Sequence, residues 1–166
     1  MTQRDEDDPS DDAPRKGVRL GVDVGTVRVG VARSDPGGIL ATPVTTLTRT
    51  SPRTSRDTAD LTPDLTALRD LVVEHDVVEV VVGLPTTLRG MEGSAVTAAR
   101  AYGQALADLI EPVPVVYVDE RLTTVTADRL LTQAGVKGRA KRAVVDQLAA
   151  TRILQNRLDQ LAGGSR

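Results

Sequence analysis

Leu20-Gly21-Val22-Asp23-Val24-Gly25-Thr26-Val27-Arg28-Val29-Gly30-Val31-Ala32 reads as two apolar strands folded back on each other through a glycine-bearing turn, with a single carboxylate in the first strand. Alternate residues of a strand face the same way, so Leu20, Val22 and Val24 share one side and Gly21, Asp23 and Gly25 share the other. The acid therefore stands on a bare backbone face. Glycine lacks Cβ and lets a ligand or ion approach the backbone, whereas a strand held by packing alone would carry Val or Ile there. An isolated Asp-x-Gly also suits an ordinary strand-end turn. The weight given to Asp23 comes from the remainder of the chain.

With 166 residues, 40% of them hydrophobic, the chain is sized for one domain that buries a core without staples. No apolar run approaches the ~20 residues needed to span a bilayer, and the polar N-terminus lacks the apolar segment of a signal peptide. These features predict a soluble cytoplasmic protein with no membrane partner. Cysteine is absent and His75 is the only histidine, which excludes disulfides, thiol catalysis and thiolate or multi-histidine metal sites. A metal must then be held by oxygen, which favours Mg²⁺ or Mn²⁺.

The net charge of −2 is unevenly placed. Residues 1–16 hold six acids (Asp5, Glu6, Asp7, Asp8, Asp11, Asp12) against three bases (Arg4, Arg15, Lys16), so the rest is close to neutral. That acidic head has too little apolar surface to fold and is predicted to be a disordered tail, leaving a domain over 17–162 and a short tail over 163–166. Trp and Phe are absent, and Tyr102 and Tyr117 are the only aromatic residues. Two tyrosines argue against a base-stacking platform for single strands, and nucleic acid is expected to be met through phosphates and shape.

Ser34-Asp35-Pro36-Gly37-Gly38 is a turn signal, and Ile39 to Leu47 reads as a third strand, completing an antiparallel meander. The polar segment Thr48 to Leu61 reads as a loop with Arg49, Arg53 and Arg56 as solvated charges. Thr62 is placed to cap a helix with Pro63 in its first turn, ending near His75. Val77 to Val82, apolar at every position but Glu79, is expected to be a strand buried on both faces, and Ser94 to Ile110 reads as a helix. Between them Gly83 to Gly93 reads as a loop entering a helix N-terminus, suited equally to receiving a phosphate on backbone N–H groups and to an ordinary connection, and it lacks the Gly-Lys-Ser/Thr ending of a nucleotide P-loop. Val113 to Val118 is a second buried strand, then comes Asp119-Glu120-Arg121, then a helix from Thr123 or Thr124 to Gly135. This alternation implies parallel pairing with right-handed crossovers. The basic stretch Lys137-Gly138-Arg139-Ala140-Lys141-Arg142 reads as a loop suited to a phosphate backbone, leading into a last helix from Ala143 to Leu161. Asp146 falls in that helix's first turns, on one face with Ala149, Ala150 and Ile153. That face suits packing on the sheet, although an early-turn Asp also suits the helix dipole.

Three acids thus lie on a first strand, at the end of a later parallel strand and on a final helix. Sites in open α/β sheets gather beyond the carboxyl ends of strands, and acids converging there need a cation. Asp119 and Glu120 are adjacent in an extended segment and point oppositely, so spacing leaves open which one joins.

The Asp23 hairpin, Val82-Gly83-Leu84-Pro85, Asp119-Glu120-Arg121-Leu122-Thr123-Thr124 and Val145-Asp146-Gln147-Leu148-Ala149-Ala150 occur in an order and spacing that resembles the YqgF (RuvX) family of pre-16S rRNA nucleases, from about Gly17 to Leu161. The resemblance implies an α/β, ribonuclease H-like fold: a mixed five-stranded sheet with a three-stranded antiparallel meander followed by alternating helices and strands. It also implies that Asp23, Glu120 and Asp146 form a catalytic, metal-binding triad, with Glu120 preferred to Asp119.

The chemistry expected of such a triad is metal-assisted phosphodiester hydrolysis, with two Mg²⁺ or Mn²⁺ ions ~4 Å apart activating water and stabilising the leaving oxygen. Lys137, Arg139, Lys141 and Arg142 are expected to position a nucleic-acid backbone, with Arg28, Arg89 or Arg121 nearer the scissile phosphate. The expected partner is nucleic acid, pre-16S rRNA in ribosome biogenesis first, in free or ribosomal-particle form. Branched DNA cut in the manner of a Holliday junction resolvase is the alternative, and it would need a homodimer rather than a monomer. A non-catalytic nucleic-acid-binding module is a further reading, disfavoured because all three acids are present. An actin-like or sugar-kinase-like ATPase shares the Asp-x-Gly-Thr hairpin but closes two lobes, and this chain has residues for one.

Overall fold

The alternation along Leu20 to Ala32 sorts the sheet into two faces, and each face collects a different set of helices. The computed structural model describes residues 14–50, 61–85, 93–120, 135 and 137–164, with Glu120 described through its backbone. Strands β1 (Arg19–Val24), β2 (Arg28–Ser34) and β3 (Ala41–Thr48) form the antiparallel meander. Helix α1 (Pro63–Glu74), strand β4 (Glu79–Pro85), helix α2 (Ser94–Ile110), strand β5 (Val115–Glu120) and helix α3 (Gly138–Gly163) follow. The sheet order is β3-β2-β1-β4-β5, with β4 parallel to β1 and β5 parallel to β4. The mixed sheet and the meander match the expectation from the sequence.

On one face Leu20, Val22, Val29, Val31, Val80 and Val82 are buried against Leu68 and Val72 of α1 and Tyr102, Leu106 and Ile110 of α2. On the other, Ala32, Val81 and Val118 are buried against Ala150, Ile153, Leu154 and Leu158 of α3. The small residues on this second face decide how close α3 lies. A Cβ built on Gly21 would stand 2.6 Å from the Ala150 carbonyl oxygen and 2.7 Å from Leu154 Cβ. The face that looks bare in the sequence is therefore covered, and Gly21 is spent on helix packing rather than on a ligand.

Element boundaries depart from the sequence reading in four places, each with a local cause. Strand β3 begins at Ala41 rather than Ile39, because the Asp35 carboxylate accepts the N–H groups of Gly37, Ile39 and Leu40 at 2.7–2.8 Å and holds them in a turn. Strand β4 continues through Gly83, Leu84 and Pro85, which pair with Val118, Asp119 and Glu120. Strand β5 starts after Pro112 and Pro114, which offer no N–H to a ladder. Helix α3 begins at Gly138, not Ala143, since Arg139-Ala140-Lys141-Arg142 is a run of strong helix formers. At α1, Thr62 takes the N-cap position with Pro63 next, but its hydroxyl makes no capping bond and is buried without a partner. The segment 51–60, most of the loop 86–92 and the helix expected between Thr123 and Gly135 lie outside the described residues.

The end of the sheet remote from Asp23 is closed by charge. Arg157 grips both oxygens of Glu79 at 2.9 Å, and Arg19 lies 3.4 Å from one of them.

Candidate active-site cleft

Asp23 is half-buried near the C-terminal end of β1 and pairs across the ladder with Gly30 of β2. Opposed residues of an antiparallel pair share a face, so Asp23 and Gly30 both look towards α3. The space that Gly30 leaves is filled by the helix backbone: an added Cβ would collide with the carbonyl group of Asp146 and stand 3.1 Å from its Cβ. Thr46, which pairs with Gly30 on its other side, donates its hydroxyl to the Ala143 carbonyl at 2.8 Å. Two sequence-distant acids are thereby brought to either side of one glycine.

Because α3 starts at Gly138, Asp146 lies beyond the first two turns, where the helix dipole has faded. Its expected face is as the spacing predicts: Ala150 and Ile153 are buried and Ala149 half-buried. The Asp146 carboxylate is held by Arg28, whose Nε donates to Oδ2 at 2.6 Å, and the two side chains are 20% and 27% exposed respectively. Such a short charge-assisted bond contributes on the order of 1–2 kcal/mol once partial exposure is allowed for.

Arg28, Gly138, Lys141, Arg142, Val145 and Asp146 line a cleft of about 330 Å³. Of the basic residues singled out in the sequence, Arg28, Lys141 and Arg142 meet in it. Lys137 and Arg139 are exposed at the start of α3 beside it. Cations at a helix N-terminus oppose the helix dipole, so this end of α3 is electrostatically suited to an anion. Arg89 and Arg121 fall outside the described residues, as does the side chain of Glu120. The backbone of Glu120 pairs with Pro85 at the end of β5, and Asp119 lines a separate cavity with Asn156, Asp159 and Gln160 of α3.

The turn that follows Asp23 is braced by residues that the sequence reading passed over. Gly25 N–H donates to the Arg28 carbonyl at 2.8 Å. Arg49, expected to be a solvated loop charge, donates its backbone N–H to the Val27 carbonyl at 2.9 Å and its Nη1 to the Gly25 carbonyl at 2.7 Å. Its guanidinium lies 5.4 Å from the ring centre of Tyr102, whose hydroxyl donates to Asp64 Oδ2 at 2.8 Å. Burial, and then the hydrogen bond and charge of Asp64, push the Tyr102 hydroxyl well above the usual phenol range, with Arg49 opposing. No local pattern links positions 25, 49, 64 and 102; only the fold brings them together.

For a cation, the available donors are carboxylate oxygens, the chemistry preferred by Mg²⁺ and Mn²⁺. Among the described residues no group of three metal-ligating side chains is assembled, and the third acid expected there, Glu120, is described through its backbone. The Asp146 carboxylate already carries a positive partner in short contact. The carboxylate oxygens match a hard divalent ion in kind, while the described side chains alone do not complete a site for one.

Comparison with known proteins bears on this geometry. A sequence profile of RuvX, described as Holliday junction resolvase, matches residues 17–160. A protein of Rhodococcus opacus (strain B4) named as a pre-16S rRNA nuclease is 50% identical over 154 residues, covering 93% of this chain and 84% of that one. One of Mycobacterium leprae (strain Br4923) with the same name is 56% identical over 147 residues, covering 89% of this chain and 75% of its own length. Among solved structures, Thermus thermophilus RuvC aligns with a TM-score of 0.50 at 15% identity, over 88% of this chain and 96% of that one. The last likeness is one of fold.

Proposed function

Because this chain belongs to the RuvX family and is with it a nuclease acting on phosphodiester bonds, we propose that it trims the 5′ end of pre-16S rRNA, using Asp23, Glu120 and Asp146 as its catalytic acids. The observation that supports this most is the seating of Asp146 over Gly30 beside Asp23, at the mouth of a cleft whose other charged residues are Arg28, Lys141 and Arg142. Anionic ligands for a cation and cationic ligands for a phosphate lie side by side, as hydrolysis of a phosphodiester requires.

The roles divide by placement. Asp23, on the strand nearest the centre of the sheet, and Asp146, on the helix, would hold Mg²⁺ or Mn²⁺ with Glu120. A divalent ion bound there supplies an activated water and stabilises charge on the leaving oxygen. Lys141 and Arg142 fix the phosphate backbone within the cleft, while Lys137 and Arg139 extend the contact along the start of α3. With few aromatics available, the RNA is gripped through phosphates, in free precursor or in a ribosomal particle.

The test is cleavage of end-labelled precursor rRNA carrying its 5′ extension, with Mn²⁺ or Mg²⁺ against EDTA. Wild type should trim in a metal-dependent manner, and Asp23→Asn and Asp146→Asn, both folded, should not. Trimming that persists in either variant refutes the assignment of the acids. Absence of trimming by wild type, with cleavage of a four-way DNA junction instead, refutes the RNA substrate and retains the chemistry.

A further inference from the structure

Arg28 is bound to the same carboxylate that the proposed chemistry assigns to a metal. Its Nε lies 2.6 Å from Asp146 Oδ2, and the pair is partly shielded, so the contact is weakly screened by salt. A guanidinium cannot lose its proton in a protein. It leaves a carboxylate only by moving, and like charge close by is the force that moves it. The cleft gives it somewhere to go: Lys141 and Arg142 line the same space, and a phosphate held between them would stand within the surroundings of Arg28. Arg28 opens β2 directly after the turn braced by Gly25 and Arg49, so its backbone is fixed, and rotation about the bonds of its long side chain can carry the guanidinium from one anion to another.

The geometry points to Arg28 as an exchangeable counter-ion that neutralises Asp146 before a divalent cation arrives and then passes to the substrate phosphate, coupling metal binding to nucleic-acid binding. This inference rests on the reading of Asp146 as a metal ligand. Loading the carboxylates with a divalent ion places like charge against the guanidinium and expels it; the freed guanidinium then adds one phosphate contact. By linkage, whatever factor the metal contributes to nucleic-acid affinity, the nucleic acid contributes to metal affinity. The enzyme would thus hold metal weakly until substrate is present.

The experiment is titration of the full chain with MnCl₂, followed by the electron paramagnetic resonance signal of free Mn²⁺, in wild type, Arg28→Gln, Arg142→Gln and Asp146→Asn. Circular dichroism confirms that each variant is folded. Removal of the competing cation in Arg28→Gln should tighten Mn²⁺ by about tenfold, the worth of one charge-assisted hydrogen bond. Arg142→Gln changes the net charge of the cleft equally and should give a markedly smaller effect, because it does not compete for the carboxylate. In a second titration, a fluorescein-labelled single-stranded RNA should bind wild type more tightly with Mn²⁺ than without, and Arg28→Gln should lose most of that gain. Equal tightening in Arg28→Gln and Arg142→Gln, or weaker Mn²⁺ binding in Arg28→Gln, overturns the exchange while leaving Asp146 as a ligand. Unchanged Mn²⁺ binding in Asp146→Asn removes the ligand assignment itself, and the exchange falls with it.

Discussion

Replacing Gly30 by Ala tests the seating of α3 on the sheet more sharply than any change to a charged residue. Gly30 is buried, its added Cβ would collide with the Asp146 carbonyl, and Asp146 Cβ would stand at 3.1 Å. The obstacle is helix backbone, which no rotamer change can clear, so α3 must shift or tilt. Overpacking of this kind costs about 1–3 kcal/mol, and the lower chain entropy of Ala in the unfolded state offsets about 0.4–1 kcal/mol of it. A net loss of roughly 1–2 kcal/mol corresponds to a fall in Tm of roughly 2–8 °C for a domain of this size. Gly21→Ala is the control. Its added Cβ would stand 2.6 Å from the Ala150 carbonyl oxygen, one helical turn further from Asp146. Both variants should lose stability in urea and heat. Gly30→Ala should in addition weaken Mn²⁺ binding and RNA cleavage well beyond Gly21→Ala, because it alone separates Asp146 from Asp23. A Gly30→Ala protein with wild-type Tm and wild-type Mn²⁺ affinity would refute the close seating and, with it, the argument that glycine at this position sets the geometry of the acids.

Tyr102→Phe removes the hydrogen bond to Asp64, a residue 2% exposed whose Oδ1 already lacks a partner; urea denaturation should show a loss of about 1–3 kcal/mol, the cost of a buried group left unpaired. Asp35 accepts backbone N–H groups from Leu40, Ile39 and Gly37, which hold its carboxyl below its ordinary value of 3.8. A depressed folded value means that its stabilisation is present above that pH and is lost as the pH falls through the folded value. The difference in Tm between wild type and Asp35→Ala should therefore be constant near neutrality and close on acidification below about pH 4, and a difference that widens in acid would contradict the turn described for residues 35–40.

The parts of the fold legible in the sequence are those whose signal is local. Val80, Val81 and Val82 form a run without polar interruption because both faces of β4 are covered, and the alternation of Leu20 to Ala32 reports a strand pair with distinct faces. The position of Asp146 was likewise legible, since Ala150 and Ile153 mark its helix face. What escaped was set by partners distant in the chain. Gly21 reads as room for a ligand, yet it and Gly30 are filled by α3, and nothing near them in sequence announces a helix that begins more than a hundred residues later. Arg139 to Arg142 carry charge that suits a loop and also strong helix propensity, and the propensity prevails in α3. Arg49 read as solvated because its two acceptors, the carbonyls of Gly25 and Val27, belong to another turn.

These misreadings share a physical cause that bears on how the site works. Asp23 lies at the level where both helical layers converge on the sheet. On one face α3 rests on Gly30 and brings Asp146; on the other, α1 and α2 reach the turn after Asp23 through Asp64, Tyr102 and Arg49. The second connection ends on backbone carbonyls rather than on the acid, so it fixes the strand end on which Asp23 stands. A carboxylate on a strand and another on a helix can share a ligand only if the two backbones keep their spacing, and preorganised donors are effective because they do not reorganise when charge develops. The division of labour follows: glycine and a buried hydrogen-bond chain fix the acids, while the long side chains of Arg28, Lys141 and Arg142 supply the adjustable charge around them.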